Sequence, residues 1–171
     1  MASAGRGFRR HGYEGLGVDG LAKEAGVTSG AFYAHFKSKA AAFRDAIVAG
    51  MEELRAGITS MREMHGPAWV GAFINFYLGD RRTCDLANSC ALQSLTGDVA
   101  RSDEGARGAF EAELIKVIEA ASVGNDGVPR AQMIAILALL TGGVSLARAI
   151  RSPALSDEIA QAVCTAAKRL A

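Results

Sequence analysis

A polar and partly aromatic surface is predicted in the segment GVTSGAFYAHFKSK, residues 26–39. Phe32 and Phe36 are four residues apart and therefore share one helix face, which we expect to face the core together with Leu21 and Val27. The side away from the core then carries Ser29, Tyr33 and His35. Hydroxyl, phenol and imidazole groups on one exposed surface can donate hydrogen bonds to an anionic partner.

Phosphate binding is the chemistry that Lys39 indicates. Ser38 is a predicted N-cap, so Lys39 falls in the first turn of the next helix, where the helix dipole disfavours a cation by up to about 1 kcal/mol. A phosphate in front of this helix end removes the conflict, because helix N-termini and lysines both bind phosphate. A solvated lysine is the alternative, but Thr28, Tyr33 and His35 surround the same expected surface.

The distribution of charge favours the same region. The chain carries a formal net charge of only +1, but residues 1–45 hold seven Lys/Arg against four Asp/Glu, and residues 46–171 hold twelve against fourteen. The basic excess is therefore local to the N-terminal quarter, where an anionic partner is expected. An uneven scatter of surface charge is the alternative when charge is considered alone.

The fold class predicted from the pattern of hydrophobic residues is all-α. Ala, Leu, Ile and Met recur at helical spacing, and caps and turn residues predict about nine helices. The expected ranges are Ala2–Arg10, Val18–Ala25, Ser29–Phe36, Lys39–His65, a helix opened by Pro67, Cys90–Val99, Asp103–Ala121, Pro129–Ile150 and a last helix near the C-terminus. Ser102 and Ser156 are the expected caps of the seventh and ninth helices, and GDRRTCDLANS, residues 79–89, is an expected loop. Two short helices joined by a glycine turn, the second capped by Thr28, match a helix-turn-helix.

The segment GYEGLGVDGLAKEAGVTSGAFYAHFKSKAAAF, residues 12–43, resembles the DNA-binding region of the TetR family of bacterial transcriptional regulators. The matching features are the Gly12-Tyr13 turn, AKEAGV at the end of helix two, Gly30, Tyr33, Phe36 and the Ser38-Lys39 opening of helix four. The resemblance implies a homodimer without enzymatic activity, in which each third helix enters a major groove of a palindromic double-stranded DNA operator. Carried over position by position, it places Thr28, Tyr33 and Lys39 mainly at phosphates, and Ser29, Gly30 and His35 at the groove floor or sugar edges.

The resemblance also implies two domains. Residues 1–45 are expected to bind DNA, and residues 46–171 to dimerise and to hold a small apolar effector that releases a repressor from its operator. Ala31, Ala34 and Gly17 depart from the family pattern, and helix one lacks residues that normally precede Phe8. Either Met1 is an internal methionine or the chain is cut. The alternative function is therefore a dimeric ligand-binding module that has lost DNA binding through truncation of helix one.

The dimer surface is expected on the last two helices. The eighth is apolar on most faces, and its Gly142-Gly143 pair suits close packing against a partner. The expected interface residues are Leu139, Gly142, Gly143, Leu146, Ile159 and Val163. Residues 131–147 carry no charge, but this stretch is marginal in length for a membrane span and contains several polar residues. A buried or interfacial helix is therefore favoured, and no membrane partner is expected.

Aromatic residues of the C-terminal part are candidates for the effector pocket. The expected lining is Trp69, Phe73, Phe76, Tyr77 and Phe110, with Cys90 nearby; an ordinary core is the alternative. Cys90 begins a helix, where the helix dipole favours a reactive thiolate, and Arg81, Arg82 and Cys84 lie in the preceding loop. A redox or electrophile sensor and a small buried cysteine both remain open at this point.

Other chemistries have little support in the sequence. Cys84, Cys90 and His65 lack a recognisable zinc-ligand spacing, and no catalytic base or motif accompanies Cys90. We therefore predict no metal site, no cofactor and no enzymatic activity. An odd number of cysteines, three in all, with no signal peptide before them favours the cytoplasm.

Overall fold

The computed structural model describes residues 2–122 and 128–171, and within these residues the regular structure is helical. The α-helices are α1 (Ala2–Gly15), α2 (Val18–Glu24), α3 (Ser29–His35), α4 (Lys39–His65), α5 (Trp69–Leu78), α6 (Asp80–Thr83), α7 (Ala91–Ala100), α8 (Glu104–Ser122), α9 (Arg130–Ala149) and α10 (Pro153–Lys168). Short 3-10 turns occur at Gly66–Ala68 and Leu86–Asn88. The all-α prediction is confirmed, and the helix number is close to the expected nine. Met1, on which the question of the true start depends, lies outside the described residues.

The chain divides into two compact units. One contains Met1–Glu53 and Asp85–Leu114, and the other contains Leu54–Cys84 and Ile115–Ala171. Helix α7 thus belongs to the same unit as α1, α2 and α3. Because this grouping reflects packing and not role, the predicted division of functions at residue 45 stays a prediction.

The core of the first unit contains the first part of α4, residues 39–53. Phe43, Ile47 and Met51 are spaced by one helical turn and are fully buried, as the periodicity of the sequence predicts. Gly50 lies beside this row, where a Cβ atom would overlap the Cβ of Ala91 and come within 2.9 Å of Nη2 of Arg9. Glycine is therefore required at the point where α4 and α7 approach each other.

The core of the second unit contains α5, α9 and α10. Two rows of α5 are buried, and one of them is the aromatic row Trp69, Phe73 and Tyr77. By length and composition α9 could cross a membrane, yet its Met133 and Ile136 are fully buried, as they are in a core helix of a globular protein.

Two predicted helix caps and one predicted loop are wrong. Asp103, not Ser102, caps α8, because its Oδ1 accepts the Ala106 N–H at 2.8 Å while Ser102 Oγ donates to the carbonyl of Asp98. Ser152, not Ser156, caps α10, because its hydroxyl accepts the Leu155 N–H at 3.4 Å. The expected loop at residues 79–89 contains α6, whose Arg82 donates to Ser156 Oγ and Asp157 Oδ1, both at 2.8 Å. These side-chain bonds hold the segment in a helical turn.

Candidate nucleic-acid interface

Helix α3 is short and is stabilised by a cap and two buried rings. Thr28 Oγ1 accepts the Ala31 N–H at 3.2 Å, as an N-cap does. Phe32 and Phe36 are buried with their ring centroids 5.0 Å apart, as the four-residue spacing predicts. The predicted core position of Val27 is wrong: it is 43% exposed, because it lies in the turn after Gly26, whose φ is 70°.

The opposite side of α3 faces solvent. Thr28, Gly30 and His35 are exposed, and 55% of Tyr33 is accessible. Ser29 differs from them, because it is half-buried and its Oγ donates to Asp19 Oδ1 at 2.5 Å. The structure thus places four of the predicted DNA-binding groups on an accessible surface and ties a fifth to an acid of α2.

The sixth predicted residue, Lys39, is the first residue of α4. Ser38 Oγ accepts the Ala41 N–H at 3.1 Å and so caps the helix as predicted. The Lys39 ammonium lies 4.5 Å from the centroid of the Tyr13 ring and 4.0 Å from Glu14 Oε2. The negative face of the ring attracts the cation and offsets its unfavourable position at the positive end of the helix.

Helix α1 is interrupted by a turn at Gly12, and Asp98 of α7 binds the next residue, Tyr13. Gly12 has φ 74° and ψ 173°, and a Cβ atom there would lie 3.1 Å from Asp98 Oδ2. The next residue, Tyr13, donates its backbone N–H to the same oxygen at 2.9 Å, while Arg101 Nη2 donates to Asp98 Oδ1 at 3.0 Å. The carboxylate therefore fixes Tyr13, on whose ring Lys39 rests. Nothing in the sequence indicated this bond between residues far apart in the chain.

Several basic residues of the N-terminal region are paired within the first unit. Arg9 binds Glu53 at 2.7 Å, and Arg10 binds Asp85 at 2.8 Å. The hydrogen bond that Arg10 donates to Asp85 raises the pKa of the Arg10 side chain, so it stays protonated. The local basic excess seen in the sequence is thus partly neutralised by acids that lie beyond residue 45.

Residues 1–46 match the family model described as bacterial regulatory proteins, tetR family. The N-terminal module is that of the TetR family. No curated protein matches the chain. Among solved structures, reduced Escherichia coli NemR is similar over 98% of this chain and 93% of its own, with 20% identity and a TM-score of 0.78. A TetR-family transcriptional regulator from Agrobacterium tumefaciens is also similar, with 17% identity, coverage of 95% of this chain and 92% of its own, and a TM-score of 0.75. SCO4454, a TetR-family transcriptional regulator from Streptomyces coelicolor, has 17% identity, coverage of 98% of this chain and 89% of its own, and a TM-score of 0.73. The whole chain therefore has the fold of TetR-family regulators.

The TetR-family match contains all six predicted DNA-binding residues, from Thr28 to Lys39, and also Gly12 and Tyr13. Asp98 lies outside the matched range. The module of this chain is thus braced by a residue that the family model of the N-terminal segment does not include.

The predicted effector-pocket residues fall into both units. Trp69, Phe73 and Tyr77 are buried in the second unit as a row of rings whose centroids lie 6.3 and 5.5 Å apart, and Phe76 is half-buried with the Arg81 guanidinium 5.3 Å from its ring centroid. Cys90 and Phe110, both half-buried, belong to the first unit. The pocket formed by these residues stays a prediction.

Cys84 lies beside the guanidinium of Arg148. Arg148 Nη2 lies 3.4 Å from Cys84 Sγ and donates to the carbonyls of Cys84 and Arg81 at 3.0 and 2.6 Å. Cys90 is the N-cap residue of α7, in agreement with its predicted position at a helix start. All three cysteines are free and half-buried, and the described residues contain no cluster able to hold a metal ion.

The predicted dimer residues differ in their accessibility. Leu146 is 54% exposed and Gly142 is exposed, whereas Leu139 and Ile159 are half-buried. Gly143 is buried within the subunit, where a Cβ atom would lie 2.8 Å from Cγ1 of Val163. The Gly143–Val163 contact therefore joins α9 to α10 of the same chain.

Proposed function

We propose that this protein is a ligand-responsive transcriptional repressor that binds a palindromic operator as a homodimer. The observation that carries the proposal is the division of α3 into a buried phenylalanine face and an accessible face with Thr28, Tyr33 and His35. A capped helix that follows a tight turn and presents polar groups to solvent suits the major groove of DNA.

The contacts can be assigned by the chemistry of each group. Thr28, Tyr33 and Lys39 are proposed to bind phosphates, with the Lys39 ammonium presented at the start of α4 beside the Tyr13 ring. Gly30 and His35 are proposed to approach the groove floor or sugar edges, and Ser29 to join them by exchanging its bond to Asp19 for one to DNA.

The same proposal gives roles to the two parts of the chain. Residues 1–45 bind DNA, and residues 46–171 dimerise and hold a small apolar effector. The exposed apolar residues Ile134, Leu146 and Leu155 on α9 and α10 support a dimer surface there, because association would remove them from water. Operator binding would place the protein in the cytoplasm.

Selection of DNA from a random pool by the purified protein, at two salt concentrations, tests the proposal. Enrichment of a two-fold symmetric site that weakens steeply with salt is the expected result. A folded, dimeric protein that enriches no sequence would contradict operator binding and would favour a module that only dimerises or binds a ligand.

A further inference from the structure

A cleft opens on the first unit beside the Tyr13 turn. Its volume is about 210 Å³, and its lining residues are Tyr13, Ala40, Phe43, Arg101, Ser102, Asp103 and Ala106. Phe43 and Ala106 are buried and form an apolar floor, whereas Arg101 and Asp103 are exposed at the rim. All of these lining residues belong to the first unit, whereas the aromatic row of α5 belongs to the second.

We propose that this cleft binds a small aromatic carboxylate. Its volume lies below the roughly 300–1,000 Å³ of sites for drug-sized ligands, so it suits a molecule with a single ring. The Tyr13 and Phe43 rings, with centroids 4.8 Å apart, can pack against such a ring.

Arg101 at the rim offers a partner to an anionic ligand. Arg101 is 75% exposed in its side chain and carries five N–H donors, of which Nη2 is bonded to Asp98. The two neighbouring acids are already engaged, because Asp98 binds Tyr13 and Arg101, and Asp103 binds the Ala106 N–H and lies 3.8 Å from Arg44. A ligand carboxylate can therefore pair with Arg101 without facing an unpaired acid.

Binding in this cleft acts on the proposed DNA contact. The ligand would touch the ring on which Lys39 rests and would also touch Ala40, the residue after Lys39. A carboxylate placed there lowers the positive potential at the start of α4, which weakens phosphate binding. The cleft is thus a second effector site, within the first unit, and its occupation lowers operator affinity.

Binding is tested on the DNA-free protein with benzoate and its neutral counterpart benzamide. In two-dimensional NMR of nitrogen-15-labelled protein, benzoate is expected to shift the amides of Tyr13, Ser102 and Ala106 in a saturable way. Benzamide should bind about tenfold more weakly, because it lacks the charge that Arg101 recognises. Equal binding of the two compounds, or benzoate shifts confined to α5, α9 and α10, would overturn the proposal.

Two variants locate the site. Arg101→Gln should weaken benzoate binding about tenfold, whereas Arg107→Gln, which removes an exposed arginine that does not line the cleft, should leave it unchanged. Ala40→Leu should block the cleft without changing charge. If both cleft variants bind benzoate as the wild type does, the ligand lies elsewhere and the proposal is wrong.

The regulatory step has its own readout. Benzoate should lower affinity for an operator obtained by selection, and Arg101→Gln should raise the benzoate concentration needed for this effect about tenfold. A benzoate-bound cleft that leaves operator affinity unchanged would overturn the regulatory part. Because the NMR titration needs no DNA, failure of operator binding and failure of the cleft to bind are distinguishable.

Discussion

Replacing Asp98 by Ala should loosen the turn that positions Tyr13 and Lys39. The side chain of Asp98 is only 16% exposed and accepts the Tyr13 N–H at 2.9 Å. Losing the acceptor for a part-buried N–H costs about 1–3 kcal/mol. The ion pair with Arg101 adds little, about 0–1 kcal/mol, because Arg101 is exposed. Ala gains up to about 0.7 kcal/mol of helix propensity, which roughly offsets the ion pair, so the expected net loss is about 1–3 kcal/mol.

The assays follow the two consequences separately. For a chain of 171 residues this loss corresponds to a Tm lower by about 2–12 °C in thermal unfolding. Operator binding must also order the released turn at about 1–2 kcal/mol per residue, so affinity measured by fluorescence anisotropy should fall about 5- to 30-fold. A double-mutant cycle with Lys39→Ala should show that the two losses are not additive, because both act on the same contact.

Asp98→Asn is the matched control. Its amide oxygen can still accept the Tyr13 N–H, so only the exposed pair with Arg101 is lost, and Tm should change by less than about 4 °C. If Asn is as damaging as Ala, the charge and not the hydrogen bond holds the turn. If Ala leaves both Tm and operator affinity unchanged, Asp98 does not position Tyr13 and the reasoning is refuted.

Three further changes test other parts of the structure. Lys39→Ala should reduce the slope of log affinity against log salt by about 0.9, and an unchanged slope would remove it from the phosphate contacts. Tyr33→Ala should abolish operator binding while unfolding free energy stays within about 0.5 kcal/mol, because the ring is exposed; a large loss of stability would place it in the core. Gly50→Ala should lower the urea unfolding free energy by about 1–3 kcal/mol, and no loss would contradict the close approach of α4 and Ala91.

Features that depend on neighbouring residues in the sequence were predictable. The four-residue spacing of Phe32 and Phe36 placed both in the core, and Thr28 and Ser38 were recognised as caps. Each of these features depends on a few adjacent residues whose physical preferences agree. The prediction that Val27 faces the core was wrong, because Val27 lies in a turn, where the backbone and not the helical period sets the direction of a side chain.

The wrong caps arose where the sequence offers two candidates. Ser102 and Asp103 are adjacent and both can cap a helix, and Ser102 instead bonds to the Asp98 carbonyl. For α10 the correct signal was present, because Pro153 favours the first helical position and therefore points to Ser152 as the cap. The helical turn at α6 depends on bonds from Arg82 to distant residues, which local propensity does not contain.

The hydrogen bond from the Tyr13 N–H to Asp98, which supports the proposed DNA-binding surface, could not be predicted for the same reason. Gly12 and Tyr13 are recognisable as a turn, but the acid that holds them is 85 residues further along the chain from Tyr13. The pattern around Asp98 is that of an ordinary helix end. Packing alone brings Asp98 to the turn. The unfavourable interaction between the Lys39 ammonium and the dipole of α4 is offset by the Tyr13 ring and by Glu14. Lys39 is half-buried and already supported in this way, so its ammonium needs little reorganisation to meet a phosphate. The support from Tyr13 and Asp98 should therefore contribute to operator affinity without touching DNA.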